Sequence, residues 1–147
     1  MKLATRGLGV LVGLLVSLPL CASAQTVAAG VEHSVYVTPD GHVWTWGLNH
    51  YGQLGTDEDL SVVHPSPIQV PNLDNVIAVA SGDYHILALK NDGTVVAWGE
   101  NGGGELGDGT TIWASHPVGV SGLSNIIAIA AKGAQSMALA ADGTVYT

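Results

Sequence analysis

The chain has 147 residues, with 12 Asp and Glu against 4 Lys and Arg, a formal charge of −8 at pH 7 and one cysteine. Phosphate backbones and anionic lipids need Lys and Arg at the contact, so this balance excludes nucleic acid and acidic membrane surfaces as partners. A single thiol cannot build a disulfide framework.

Residues 1–24 differ from the rest. Lys2 and Arg6 form a basic head, Leu8 to Leu20 is apolar except for Ser17 and Pro19, and Ala22-Ser23-Ala24 supplies small residues for a peptidase. An apolar core this short, with these flanks, reads as a secretory signal rather than a spanning helix. Cleavage is expected after Ala24, leaving Gln25 first and the product secreted or periplasmic. Acylation at Cys21 is not expected, because Leu20 stands where lipoprotein sites carry a small residue. Once the signal is removed, Lys90 and Lys132 are the only basic side chains and no thiol remains.

From residue 25 the chain repeats itself, in units of approximately 25–55, 56–107 and 108–147. Val27 to Gly55 and Val79 to Gly107 share, at one constant offset, a Gly (Gly30, Gly82), a His (His33, His85) and an Asp-Gly (Asp40-Gly41, Asp92-Gly93). They also share a Trp-Gly (Trp46-Gly47, Trp98-Gly99), an Asn (Asn49, Asn101) and a Gly-x-Leu-Gly. Repetition at such a period indicates a solenoid, propeller or array. In the complete copy the spacing predicts four short strands, Ile68–Val70, Val76–Ser81, His85–Lys90 and Thr94–Trp98, bounded by turn residues such as Asn91-Asp92-Gly93.

Both alternating faces are apolar in Val76–Ala80 and again in Ile86–Leu89. A sheet wet on one side would carry polar residues at every second position, so each sheet must be covered on both sides. The abundance of Ala, Val and Gly, with no Phe, suits sheets stacked at close range. The predicted class is therefore all-β, a β-propeller built of four-stranded antiparallel blades. A third copy opens at Ile129 with Lys132 in the place of the Gly and Gln135 in the place of the His. By register, Thr147 directly precedes the next Trp position, so the chain is read as a piece of a longer propeller. If it is really this short, its bare faces invite self-association.

The pattern Gly30-x-x-His33, Asp40-Gly41-x-Val43, Trp46-Gly47-x-Asn49-x-x-Gly52-Gln53-Leu54-Gly55 resembles the regulator of chromosome condensation repeat. So does its second copy, from Gly82-x-x-His85 through Trp98-Gly99-x-Asn101 to Gly104-Glu105-Leu106-Gly107. The resemblance implies a propeller that usually has seven blades. About three would be present here, the first lacking its leading strand and the last its end. It also implies protein binding through loops, since the family spans exchange factors for small GTPases, chromatin binders and secreted bacterial propellers, one of which inhibits β-lactamases. The matched residues are blade framework, and fold alone does not transfer function.

His33 and His85 recur at one repeat position and are read as structural, because equivalent positions in different blades are spread around a ring. Asn101-Gly102-Gly103-Gly104 lacks the Lys-Ser or Lys-Thr of a phosphate loop, and Asp57-Glu58-Asp59 lacks the alternating ligands of a calcium loop. No metal, no cofactor and no catalytic constellation is expected. The long loops around each Gly-x-Leu-Gly vary between copies, so His50, Tyr51, His64, Trp113 and His116 are the candidate protein-binding residues, read as lying in loops. The expected role is an exported protein-interaction module. An enzyme whose site is contributed by other blades is the alternative, and nucleotide exchange on a GTPase ranks last because export removes the chain from cytosolic GTPases.

Overall fold

The computed structural model describes residues 26–147. The proposed signal, residues 1–24, lies outside the described residues. Within them the chain forms eleven strands and no helix. The first sheet holds β1 (Val27–Ala29), β2 (His33–Val37), β3 (Val43–Leu48) and β4 (Val63–Gln69). The second holds β5 (Val76–Ser81), β6 (His85–Lys90), β7 (Val95–Gly99) and β8 (Ala114–Gly119). The third holds β9 (Ile126–Lys132), β10 (Gln135–Ala140) and β11 (Val145–Tyr146). Each is an antiparallel meander, two of four strands and one of three. Successive sheets lie face to face with β1, β5 and β9 side by side, the stacking of propeller blades.

The middle sheet explains the two-sided apolar pattern. From β6, Ile86 and Ala88 join Val35, Val37 and Val43 of the first sheet in one buried cluster. Leu87 and Leu89 point the other way, into a second cluster with Ala138 and Ala140 of the third sheet. In β5, Val76 serves the first cluster and Ala78 the second, because a register shift between them breaks the simple alternation.

The grouping of strands differs from the sequence reading. Ile68–Val70, taken there as an opening strand, is the end of β4 and its continuation, and β4 pairs with β3 of the preceding sheet through Trp44↔Gln69 and Leu48↔Val63. The first sheet therefore has its leading strand, β1, and is complete with four. The sheets divide at 70–75 and 120–125, later than the sequence repeats suggested. Pro65 and Pro67 sit in β4 and Pro117 in β8. Proline cannot donate to a ladder, which suits both strands to the outer edge of a blade.

One contact ties each sheet to the last. Trp98 is fully buried and its indole N–H donates to the Gln53 carbonyl at 3.0 Å. Gly55 makes room for the ring, since a Cβ there would stand 2.8 Å from Trp98 Nε1. Thus Trp-Gly of one blade clamps Gly-x-Leu-Gly of its neighbour. At the next junction Ser136 Oγ takes the equivalent carbonyl, that of Glu105, at 2.7 Å. Truncating a buried Trp costs about 3–5 kcal/mol, a large share of a small domain's stability. Trp98→Ala should therefore lower the urea midpoint far more than Trp46→Ala, whose half-buried ring lies beside Ser34 on the face away from the second sheet. Equal losses in urea unfolding would refute this clamp.

Candidate functional site

The meander sorts the connections by end. Asp-Gly hairpins lie at one end, held by Asp92 accepting from Thr94 N–H at 3.0 Å and by Gly93 N–H donating to Lys90. At the other end lie the Gly-x-x-His turns and the long loops after β3 and β7. Gly47 and Gly99 open these loops with φ of 110° and 106°, and a Cβ on either would collide with the carbonyl oxygen of Glu32 or Tyr84.

A buried asparagine shapes each loop. Asn101 Oδ1 accepts from Leu106 N–H at 2.9 Å, while its amide group donates to the Ile112 carbonyl at 3.1 Å and the Thr110 carbonyl at 3.2 Å. Asn49 accepts likewise from Leu54 N–H at 3.1 Å, but its only loop bond, to the Glu58 carbonyl, is 3.4 Å. The loop after β7 is therefore the more firmly set. Beyond it, Ile112 is 73% and Trp113 51% exposed.

Three aromatic rings meet at this end. Tyr51 packs edge-on to Trp113 with centroids 4.9 Å apart, and its ring lies 5.1 Å from that of Tyr84. Such pairs add stability beyond the area they bury. Tyr51 N–H donates to Gln53 Oε1 at 2.9 Å, which fixes the turn that carries it. Two expected residues, Tyr51 and Trp113, are thus brought together across two blades. Tyr84 was not singled out in the sequence. Its signal was the variable position of the Gly-x-x-His turn, occupied by Glu32 in one copy and Tyr84 in the next.

The other three expected residues are placed differently. His50 is exposed and outside the cluster. His64 and His116 are strand residues of β4 and β8, not loop residues, because pairing with β3 and β7 begins at Leu48↔Val63 and Gly99↔Ala114. His64 Nε2 is buried without a partner. His116 Nδ1 stands 3.4 Å from Asp57 Oδ1, the same oxygen that accepts from Ser115 Oγ. The serine bond chiefly, with the His116 charge adding, holds the Asp57 carboxyl below its usual range. Ser115 and His116 share an acceptor rather than bonding each other, so nothing here activates a nucleophile.

His33 and His85 clasp neighbouring sheets. His85 Nε2 bonds Ser136 Oγ of the third sheet at 2.9 Å, and that hydroxyl donates onward to the Glu105 carbonyl. His33 Nε2 bonds Ser81 Oγ of the second sheet at 2.8 Å, whose hydroxyl reaches the Gly82 carbonyl at 3.1 Å. The network assigns the proton to Nε2 in both rings. Each ring rests against the Gly of its own turn, Gly30 or Gly82, where a Cβ would clash with Cε1. Among the described residues no three His, Cys, Asp or Glu are grouped to hold a metal ion. A cavity of about 630 Å³ between the second and third sheets is lined by apolar groups such as Leu87, Val95 and Met137. Its one carboxylate, Glu105, is tied to Gly103 N–H at 3.0 Å.

Burial, with the His85 charge adding, pulls His33 down to about 4, and burial lowers His85 against the opposing pull of Glu105 and Asp83. An imidazole held neutral when folded but free to protonate when unfolded stabilises the fold fully above about pH 6.5 and loses that contribution as pH falls toward about 4. For His33 the loss is roughly 3 kcal/mol. Urea midpoints should fall through this window, and His33→Gln should be less stable near neutrality but flatter with pH. An unchanged slope in that variant would overturn the assignment.

The sequence matches the profile described as Regulator of chromosome condensation (RCC1) repeat over residues 40–89 and 92–139, and a second profile of that repeat over 24–53 and 76–105. It is 42% identical over 85 residues to human E3 ubiquitin-protein ligase HERC2, covering 58% of this chain and 2% of that protein. It is 39% identical over 87 residues to mouse Protein RCC2, covering 58% and 17%. With the ultraviolet-B receptor UVR8 of Arabidopsis thaliana it shares 33% over 86 residues, covering 58% and 20%. The chain thus spans 20% or less of the length of these relatives. Among solved structures, human WBSCR16 superposes with a TM-score of 0.73 at 28% identity, covering 81% of this chain and 32% of that one. Prp20p of Saccharomyces cerevisiae gives 0.72 at 26% identity, covering 84% and 32%.

Proposed function

This chain belongs to the regulator of chromosome condensation (RCC1) repeat family, and from that premise we propose that it is an exported protein-interaction module. Its binding surface is the loop end of the blades. The observation that carries this reading is the cluster of Tyr51, Tyr84 and Trp113 beside exposed Ile112, on a loop already ordered by Asn101. Aromatic side chains on pre-set backbone lose little entropy on binding and are enriched among interface anchors. A solved relative supports a protein partner: the yeast protein Prp20p, also called yeast RCC1, is described for its binding to Gsp1p and histones and, in another structure, bound to Kap60. The signal-like segment ending at Ala24 supports export.

One experiment addresses both parts. A photo-crosslinking amino acid replaces Trp113 in one variant and Thr144, at the hairpin end, in another, each produced in its native host. The expected result is a discrete protein adduct from position 113 alone, on a chain whose first residue is Gln25. Matching adducts from both positions, or none, would overturn the loop surface, and a retained Met1 would overturn export.

A further inference from the structure

We infer that the loop end receives a cationic segment of its protein partner, with a Lys or Arg side chain seated against Tyr51 and Trp113. The inference rests on the binding reading above and specifies its chemistry. Charge is divided unevenly between the two ends of the sheets. The hairpin end keeps Asp40, Asp74, Asp92 and Asp142, with Lys90 placed 3.9 Å from Asp74. The other carboxylates belong to the Gly-x-x-His turns and to the long loops after β3 and β7, and Lys132, the only lysine at the end of those turns among the described residues, forms no ion pair with them.

Two carboxylates are tied by the backbone to the turn that carries Tyr84. Asp83 directly precedes Tyr84. Glu100 N–H donates to the Tyr84 carbonyl at 3.0 Å, so its side chain starts beside the cluster. Burial, then the charges of Glu105 and Asp83, raises the Glu100 carboxyl above its usual range, as expected of like charges crowded without a counter-ion. A cation entering here would relieve that repulsion and meet the negative faces of aromatic rings at once. Ile112, 73% exposed, lies one residue from Trp113 and offers apolar surface to the methylene stem of a long basic side chain. Phosphorylated or acidic partners would meet the same carboxylates as repulsion.

The test begins with selection from a displayed library of random dodecapeptides on the immobilised chain, at low and then physiological salt. The best sequence is then synthesised with arginine and with citrulline, its uncharged isostere, and binding is read by calorimetry and tryptophan emission. The expected outcome is enrichment of Arg and Lys, with the arginine peptide bound roughly 10-fold or more tightly than its citrulline form. Trp113→Ala should weaken it about 10-fold and Glu100→Gln a few-fold, whereas Asp92→Asn at the hairpin end should leave it unchanged. Unchanged urea midpoints verify that these substitutions keep the fold. Neutral or acidic peptides that still depend on Trp113 would refute the cationic partner while leaving the binding surface intact. Peptides indifferent to Trp113→Ala, or an empty selection on folded protein, would count against both.

Discussion

The structure depends on one constraint: the middle sheet is apolar on both faces and must be covered twice. Strand β6 gives Ile86 and Ala88 to one neighbour and Leu87 and Leu89 to the other, all buried. A sheet of this kind cannot stand alone in water, because neither face offers a polar surface to solvent. The small side chains Ala78, Ala80 and Ala88 let the neighbours approach closely, and burial of the branched residues between them supplies the driving force. Everything else in the fold organises this stack or decorates its ends.

Polar residues that recur between copies are used for alignment rather than chemistry. His33 and His85 pin each sheet to a serine hydroxyl of the next, Trp98 pins the second sheet to the Gln53 carbonyl, and Asn49 and Asn101 pin their own loops. A buried polar group needs a partner, and here the partner usually lies in a neighbouring segment, so satisfying it also sets the register between blades. With the framework held this way, the loop residues are free to differ. The loop after β3 contributes Tyr51 and the residue just ahead of β8 contributes Trp113, two side chains from different blades that become one surface only because the sheets are stacked.

Much of this was legible before the fold was known, and the exceptions have physical reasons. Strands β5 and β6 were readable to within their ends, because two apolar faces and an Asp-Gly turn leave few alternatives. The membership of β4 was not. A repeating chain shows its period but not its phase, since a blade boundary is set by which strands hydrogen-bond. Pro65 and Pro67 mark an edge strand, but a four-stranded meander has two edges, the first strand and the last, so the prolines did not tell the opening strand of one blade from the closing strand of the blade before. His64 and His116 were misplaced for the same reason, lying in outer strands that vary as loops do. The aromatic cluster was half visible. Tyr51 and Trp113 stood out as variable aromatics, but their contact with Tyr84 spans three separate segments that no local pattern joins.

The two-sided burial of the middle sheet is tested most directly by native-state amide hydrogen exchange, which reads the opening free energy strand by strand. Amides of Ile86, Leu87, Ala88 and Leu89 in β6 should exchange slowest, at the limit set by global unfolding. Those of the edge strands β4 and β8 should exchange through smaller, local openings. If β6 exchanges as freely as β4, or if one of its faces opens independently of the other, the middle sheet is not held from both sides and the account fails.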